Sequence, residues 1–201
     1  MIKNIVFDLG GVLLTEDDNW VHTNEVKNLL KVTDEQLSNG WESAWPDARD
    51  GKTNEDQFFE TFLTHSIGHS NEELINSLKN TYRIEIDKYT AFPILEKLEG
   101  KYKLFALTNV TNFWLDLKVK KYELDKKLDL IISSCGEGIA KPHKEIFLAL
   151  MNKAKIDPEE TLFIDNMQKN IPPALELGFE VCLYTDLESL KAKFKELDIK
   201  I

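Results

Sequence analysis

Four short segments of the chain end in side chains that could handle a phosphate and a divalent cation. Val6-Phe7-Asp8-Leu9-Gly10-Gly11-Val12 sets a carboxylate after an apolar run and follows it with two glycines, which let backbone N–H groups approach an anion. Leu107-Thr108-Asn109 ends in a hydroxyl and an amide. Gly136-Glu137-Gly138-Ile139-Ala140-Lys141-Pro142 delivers one lysine, and Phe163-Ile164-Asp165-Asn166 ends in a second carboxylate and an amide. Taken singly, an Asp after a strand is commonly a turn former, a Thr a helix cap, and a Lys before Pro a surface residue. In order along one chain they form a set: two carboxylates for a divalent cation, a lysine and a hydroxyl for a phosphoryl group, and Asp8 free to attack phosphorus.

Such a set works only if the fold brings its members to one edge. Five short apolar runs, 2–9, 104–108, 128–133, 161–165 and 180–184, read as buried strands, and their near-continuous hydrophobicity predicts a parallel sheet covered on both faces. Amphipathic helix-length stretches at 113–122, 144–155 and 170–177 separate the last four, and another at 187–197 follows, so the class is α/β. Ligands of open parallel sheets bind beyond the carboxyl ends of the strands, where all four segments fall.

The interval after the first strand is different. It holds no convincing strand and four helical patterns, with Thr53-Asn54-Glu55-Asp56 and Ser70-Asn71-Glu72-Glu73 as helix starts and Gly51 and Gly68 as breaks. Trp41, Trp45, Phe58, Phe59 and Phe62 recur there at helical spacing and are expected to form the insertion's own core. The Lys-rich stretch 118–127, mixed with Asp and Glu, reads as a solvated helix face.

The 201 residues are 42% hydrophobic and 30% charged, enough for one full core and a small second unit. A net charge of −10 repels nucleic acid and anionic lipid, which argues against both as partners. Cys135 and Cys182 sit in no metal or redox spacing, as in a reducing compartment, and no apolar run reaches signal-peptide or membrane-spanning length; the expectation is a soluble cytoplasmic protein. Cys182 reads as a small buried hydrophobe. His65 and His69 are four apart, but Gly68 between them ends the helix they would share.

With these residues in order, the chain resembles the haloacid dehalogenase superfamily of aspartate-nucleophile hydrolases over nearly its whole length. Asp8-Leu9-Gly10-Gly11-Val12 resembles its first motif, Leu107-Thr108-Asn109 the second, Lys141-Pro142 the third and Phe163-Ile164-Asp165-Asn166 the fourth. The insertion resembles the family's small helical cap, down to Arg49-Asp50-Gly51 before a helix with Phe58 and Phe59. The resemblance implies a Rossmann-like three-layer core with a five-stranded parallel sheet, residues 1–14 and 89–201, and a helical cap at 15–88 hinged near 14–16 and 87–91. Among subgroups, the Asp-Leu-Gly start and the Thr-Asn pair are most similar to phosphatases of sugar phosphates and related metabolites.

The same resemblance implies roles. Asp8 would attack a small phosphomonoester to give an aspartyl-phosphate that water hydrolyses. Magnesium would sit between Asp8, Asp165 and the carbonyl of Gly10. Thr108, Asn109, Lys141 and the amides of Leu9 and Gly10 would hold the phosphoryl oxygens.

Two positions depart from the family pattern. Gly10 stands where most such phosphatases carry a second Asp for general acid–base catalysis, help typically worth ~10²–10⁴-fold. Asn166 stands where many carry another acidic residue, so magnesium affinity should fall. Asp17 and Asp18, where the first loop enters the insertion, are positioned to supply a missing acid. Three readings therefore stand: a magnesium-dependent phosphatase; a 2-haloacid dehalogenase-type hydrolase, which would need a halide site from a cap cation such as Arg49; and a non-catalytic phosphate- or protein-binding relative.

Overall fold

In the computed structural model, which describes residues 1–89 and 91–201, the strands are β1 (Asn4–Phe7), β2 (Lys103–Thr108), β3 (Leu130–Ser133), β4 (Thr161–Asp165) and β5 (Glu180–Leu183). They form one parallel sheet in the order β3-β2-β1-β4-β5. β1 is shorter than its apolar run because the chain turns back at once: the N–H groups of both Leu13 and Leu14 bond to the carbonyl of Leu9.

Alternation along the strands explains the layers. Ile5, Phe7, Leu104, Ala106, Leu162 and Ile164 belong to one buried cluster, while Val6, Phe105, Leu107 and Phe163 belong to the other. Four helices precede β2 within the insertion: α1 (Asn24–Leu30), α2 (Asp34–Arg49), α3 (Glu55–Ile67) and α4 (Glu72–Glu85). The remaining helices are α5 (Ile94–Leu98), α6 (Asn112–Tyr122), α7 (Leu124–Lys127), α8 (Ser134–Glu137), α9 (Lys144–Ala154), α10 (Ile171–Glu176) and α11 (Leu187–Glu196). Helices α5, α6 and α11 join the first cluster through Leu95, Trp114 and Phe194; α9 and α10 join the second through Phe147 and Ala174. Both faces of the sheet are thus covered, as its continuous hydrophobicity predicts.

Local chemistry sets the helix boundaries in the insertion. The starts of α3 and α4 fall one residue later than the Thr53 and Ser70 patterns suggest, because Asn54 and Asn71 supply the capping oxygens, to the N–H groups of Gln57 and Leu74. Gly68, at φ +82°, ends α3 as expected. The two chain crossings between insertion and sheet are tied together: Leu14 bridges Lys88, Thr15 N–H donates to the Asp87 carbonyl at 3.0 Å, and Tyr89 N–H to that of Leu13 at 2.8 Å. Thr90, in the second expected hinge, lies outside the described residues.

Two expectations change. Lys118 is wholly buried rather than on a solvated face, because it pairs with Asp17. The insertion's aromatics do not form a closed core of their own. Trp114 of α6 stacks on Tyr82 with ring centroids 4.0 Å apart and lies within 6.0 Å of Trp41, Trp45 and Phe58. The insertion and the sheet's helical layer therefore share one apolar core.

Candidate active site

Register brings the acidic residues together. Phe7 on β1 pairs with Ile164 on β4, so Asp8 and Asp165, each one residue further along a parallel strand, come side by side. The Asp8 N–H donates to the Ile164 carbonyl at 2.8 Å. Thr108, the last residue of β2, is likewise buried. The loop before α9 then inserts Lys141, 1% exposed, so that its Nζ lies 3.0 Å from Asp8 Oδ2 and 2.6 Å from Asp165 Oδ2.

That loop is held by Asn109. Its Nδ2 donates to the Lys141 carbonyl at 3.0 Å and its Oδ1 accepts from the Lys141 N–H at 2.8 Å. Asn109, expected to contact substrate, is thus engaged in placing the lysine. Leu9 acts through its backbone, its N–H donating to Asp8 Oδ1 at 2.7 Å.

Asp165 is fully buried and its oxygens are already engaged. Oδ1 accepts from Met167 N–H at 2.8 Å, Oδ2 takes Lys141, and Asn170 Nδ2 lies 3.0 Å from both. Four contacts fill the roughly four acceptor sites of a carboxylate. Two amide oxygens at this edge, Asn166 Oδ1 and Asn170 Oδ1, are buried without a hydrogen-bond partner among the described residues. In this arrangement Asp165 also anchors Lys141. Asn170 is one of several polar residues after β4 and carries no distinguishing pattern in the sequence.

Burial sets the electrostatics. It is the largest influence on Asp8; Lys141 opposes it and the charges of Asp165 and Glu16 add to it, lifting the carboxyl to about 7. Burial also works against the charge on Lys141, but Asp165 and Asp8 outweigh it and hold its pKa above the ordinary value.

Other singled-out residues sit elsewhere. Asp17 does not face Asp8 as a spare acid: its Oδ1 takes Lys118 Nζ at 2.5 Å and the Tyr82 hydroxyl at 2.8 Å. Asp18 is on the surface. Arg49 lies beside Asp50, Nε to Oδ1 3.4 Å, and its carbonyl accepts from the Ser134 hydroxyl at 2.6 Å. His65 and His69 are exposed, each with Nδ1 on a backbone carbonyl. Cys182 is buried in β5, and burial pushes the Cys135 thiol up. Glu16, like Asn170, carries no distinguishing sequence signal, and its Oε1 accepts a hydrogen bond from Asn166 Nδ2. Burial raises its pKa, against that bond.

Comparison with known proteins fits this geometry. The family described as haloacid dehalogenase-like hydrolase matches residues 2–178. D-ribitol-5-phosphate phosphatase of Bacteroides thetaiotaomicron is 30% identical over 189 residues, covering 90% of each protein. Bifunctional epoxide hydrolase 2 of Sus scrofa is 30% identical over 111 residues, 51% of this chain but only 20% of that protein, so the chain spans about a fifth of that relative. Among solved structures, a mutant haloacid dehalogenase family enzyme from Bacteroides thetaiotaomicron, in complex with magnesium and inorganic phosphate, superposes with TM-score 0.75 at 25% identity, covering 94% of this chain and 99% of that one.

Proposed function

The chain belongs to the haloacid dehalogenase-like hydrolase family, and on that premise we propose that it is a magnesium-dependent phosphatase of a small sugar or polyol phosphate, with Asp8 as nucleophile. The observation that carries this reading is the buried trio in which one lysine, Lys141, sits between Asp8 and Asp165 at the ends of β1 and β4. The similarity to a ribitol-phosphate phosphatase along nearly the full chain supports the substrate class.

In this reading residues 1–14 and 89–201 form the hydrolase core and 15–88 the cap that covers the organic part of the substrate. An Asp8 carboxylate oxygen attacks phosphorus, the ester P–O bond breaks, and the departing alkoxide takes its proton from water, since Gly10 carries no acid. Water then attacks the aspartyl-phosphate, releasing phosphate and restoring the carboxylate. Lys141 favours the ionised nucleophile and, with Thr108 and the Gly10 N–H, meets the phosphoryl oxygens as their charge grows. Leu9 N–H fixes one Asp8 oxygen. Asn109 and Asp165 hold Lys141 in place.

The donor set here is all oxygen, as a hard cation requires. Asp8, Asp165 and the Gly10 carbonyl are the groups that would hold magnesium, and the unpartnered Asn166 Oδ1 is a further oxygen in keeping with such an ion. When bound, magnesium supplies charge neutralisation between nucleophile and phosphate.

The test is phosphate release from sugar and polyol phosphates and from an activated aryl phosphate, with magnesium and with chelator. Magnesium-dependent release by the wild type that disappears in Asp8→Asn is the expected result. No release above the Asp8→Asn level from any ester would overturn the reading.

A further inference from the structure

Two positions at this site lack the carboxylate that the resemblance leads one to expect, Gly10 and Asn166, and a single side chain from outside the four motifs reaches both. The turn after β1 doubles back, with Gly11 N–H bonded to the Leu14 carbonyl at 2.8 Å and Gly10 bridging Leu14, and this return lays Glu16 over the two glycines. A Cβ built on Gly10 would lie 3.3 Å from Glu16 Oε2. One built on Gly11 would lie 2.3 Å from both Glu16 Oε1 and Asn166 Nδ2. The Glu16 carboxylate therefore lies beside the space a side chain at position 10 would enter, and the Glu16–Asn166 contact closes over Gly11.

A carboxylate facing Asn166 also decides which way the amide points. Ionised Glu16 only accepts hydrogen bonds, so Asn166 must offer its NH₂ group, and its carbonyl oxygen turns away. That oxygen is buried and without a partner among the described residues, a costly state that a cation would relieve. Glu16 is also close enough for its charge to act on Asp8.

We propose that Glu16 is a positioning residue of the magnesium site: it holds the Asn166 carboxamide with Oδ1 presented to the cation and supplies one of the two negative charges missing at positions 10 and 166. The inference rests on the magnesium-dependent reading above. It also accounts for how an amide can stand at position 166, since the lost charge returns from a residue 150 positions away.

The experiment is calorimetric titration of magnesium into the full-length, metal-free protein without substrate, so that turnover plays no part in the readout. Wild type is compared with Glu16→Gln, Asn166→Asp, the double variant and Asn166→Leu, each checked for an unchanged circular dichroism spectrum in chelator. Glu16→Gln is expected to weaken magnesium binding by about 10–100-fold, the usual effect of removing a residue that orients a ligand. Asn166→Asp should restore most of that loss in the Glu16→Gln background, a rescue that a merely structural glutamate would not show. Magnesium binding by Glu16→Gln within twofold of wild type, or unchanged binding by Asn166→Leu, would overturn the proposal. Absence of magnesium uptake by the wild type would remove the magnesium-dependent reading itself, and this inference with it.

Discussion

Lys118 Nζ lies 2.5 Å from Asp17 Oδ1, with the lysine wholly buried on α6 and the aspartate at the approach to the insertion. The Tyr82 hydroxyl of α4 donates to the same oxygen, so one carboxylate joins the insertion to the sheet's helical layer. Breaking a buried pair from one side leaves an uncompensated charge. Lys118→Met is therefore expected to lower stability by about 3–5 kcal/mol in urea denaturation, and adding Asp17→Asn should return much of it. Equal stabilities for Lys118→Met and wild type would contradict this account.

Trp114 is the apolar counterpart of that tie, packed against Trp20, Trp41, Trp45, Phe58 and Tyr82. Trp114→Ala should cost about 3–5 kcal/mol through the cavity it leaves. Because the insertion and the core share this cluster, the loss should appear as one cooperative unfolding transition shifted to lower denaturant. An insertion that melts separately with an unchanged main transition would show that the two do not depend on each other.

Lys141 balances two carboxylates. Lys141→Met is expected to reduce phosphate release by at least ~10²-fold, the scale seen when one charge-stabilising donor is removed from such a site. The fall should be in kcat more than KM, since the charge it meets develops during reaction. A variant altered in KM alone would place Lys141 in ground-state binding.

The raised Asp8 carboxyl makes a signed prediction for the metal-free protein. In the folded state it titrates at about 7, above its ordinary value near 3.8, so the native chain binds the extra proton between those limits. Stability from this group is complete below the lower value and is lost as pH rises through about 7. In chelator, unfolding free energy measured from pH 5 to pH 8 should fall more steeply for wild type than for Asp8→Asn. Parallel curves would mean that Asp8 does not hold this proton.

Gly11 adopts φ +71°, and a methyl there would push between Glu16 and Asn166. Gly11→Ala is expected to cost about 1–3 kcal/mol by thermal or urea denaturation, from left-handed backbone strain and the displaced pair. A fully stable variant would mean that the turn rearranges without loss.

The order of the site along the chain was legible before folding. Asp8, Thr108 and Asp165 follow or end apolar runs, and parallel connections gather strand ends at one edge, while Lys141 is marked by its place in the glycine-containing loop after the third strand. The four helices of the insertion were legible for the same reason, since amphipathic period and glycine breaks are local properties. What only the tertiary structure decided were pairings between residues far apart with no local signature. Glu16 and Asn166 meet across 150 positions, Asp17 and Lys118 across 101. Lysine in a mixed-charge helix reads as solvated by composition alone, and only the packed neighbour shows that it is buried. Likewise, what surrounds a carboxylate is decided in space: Lys141, Asn170 and the Met167 N–H converge on Asp165 with no shared local signature in the sequence.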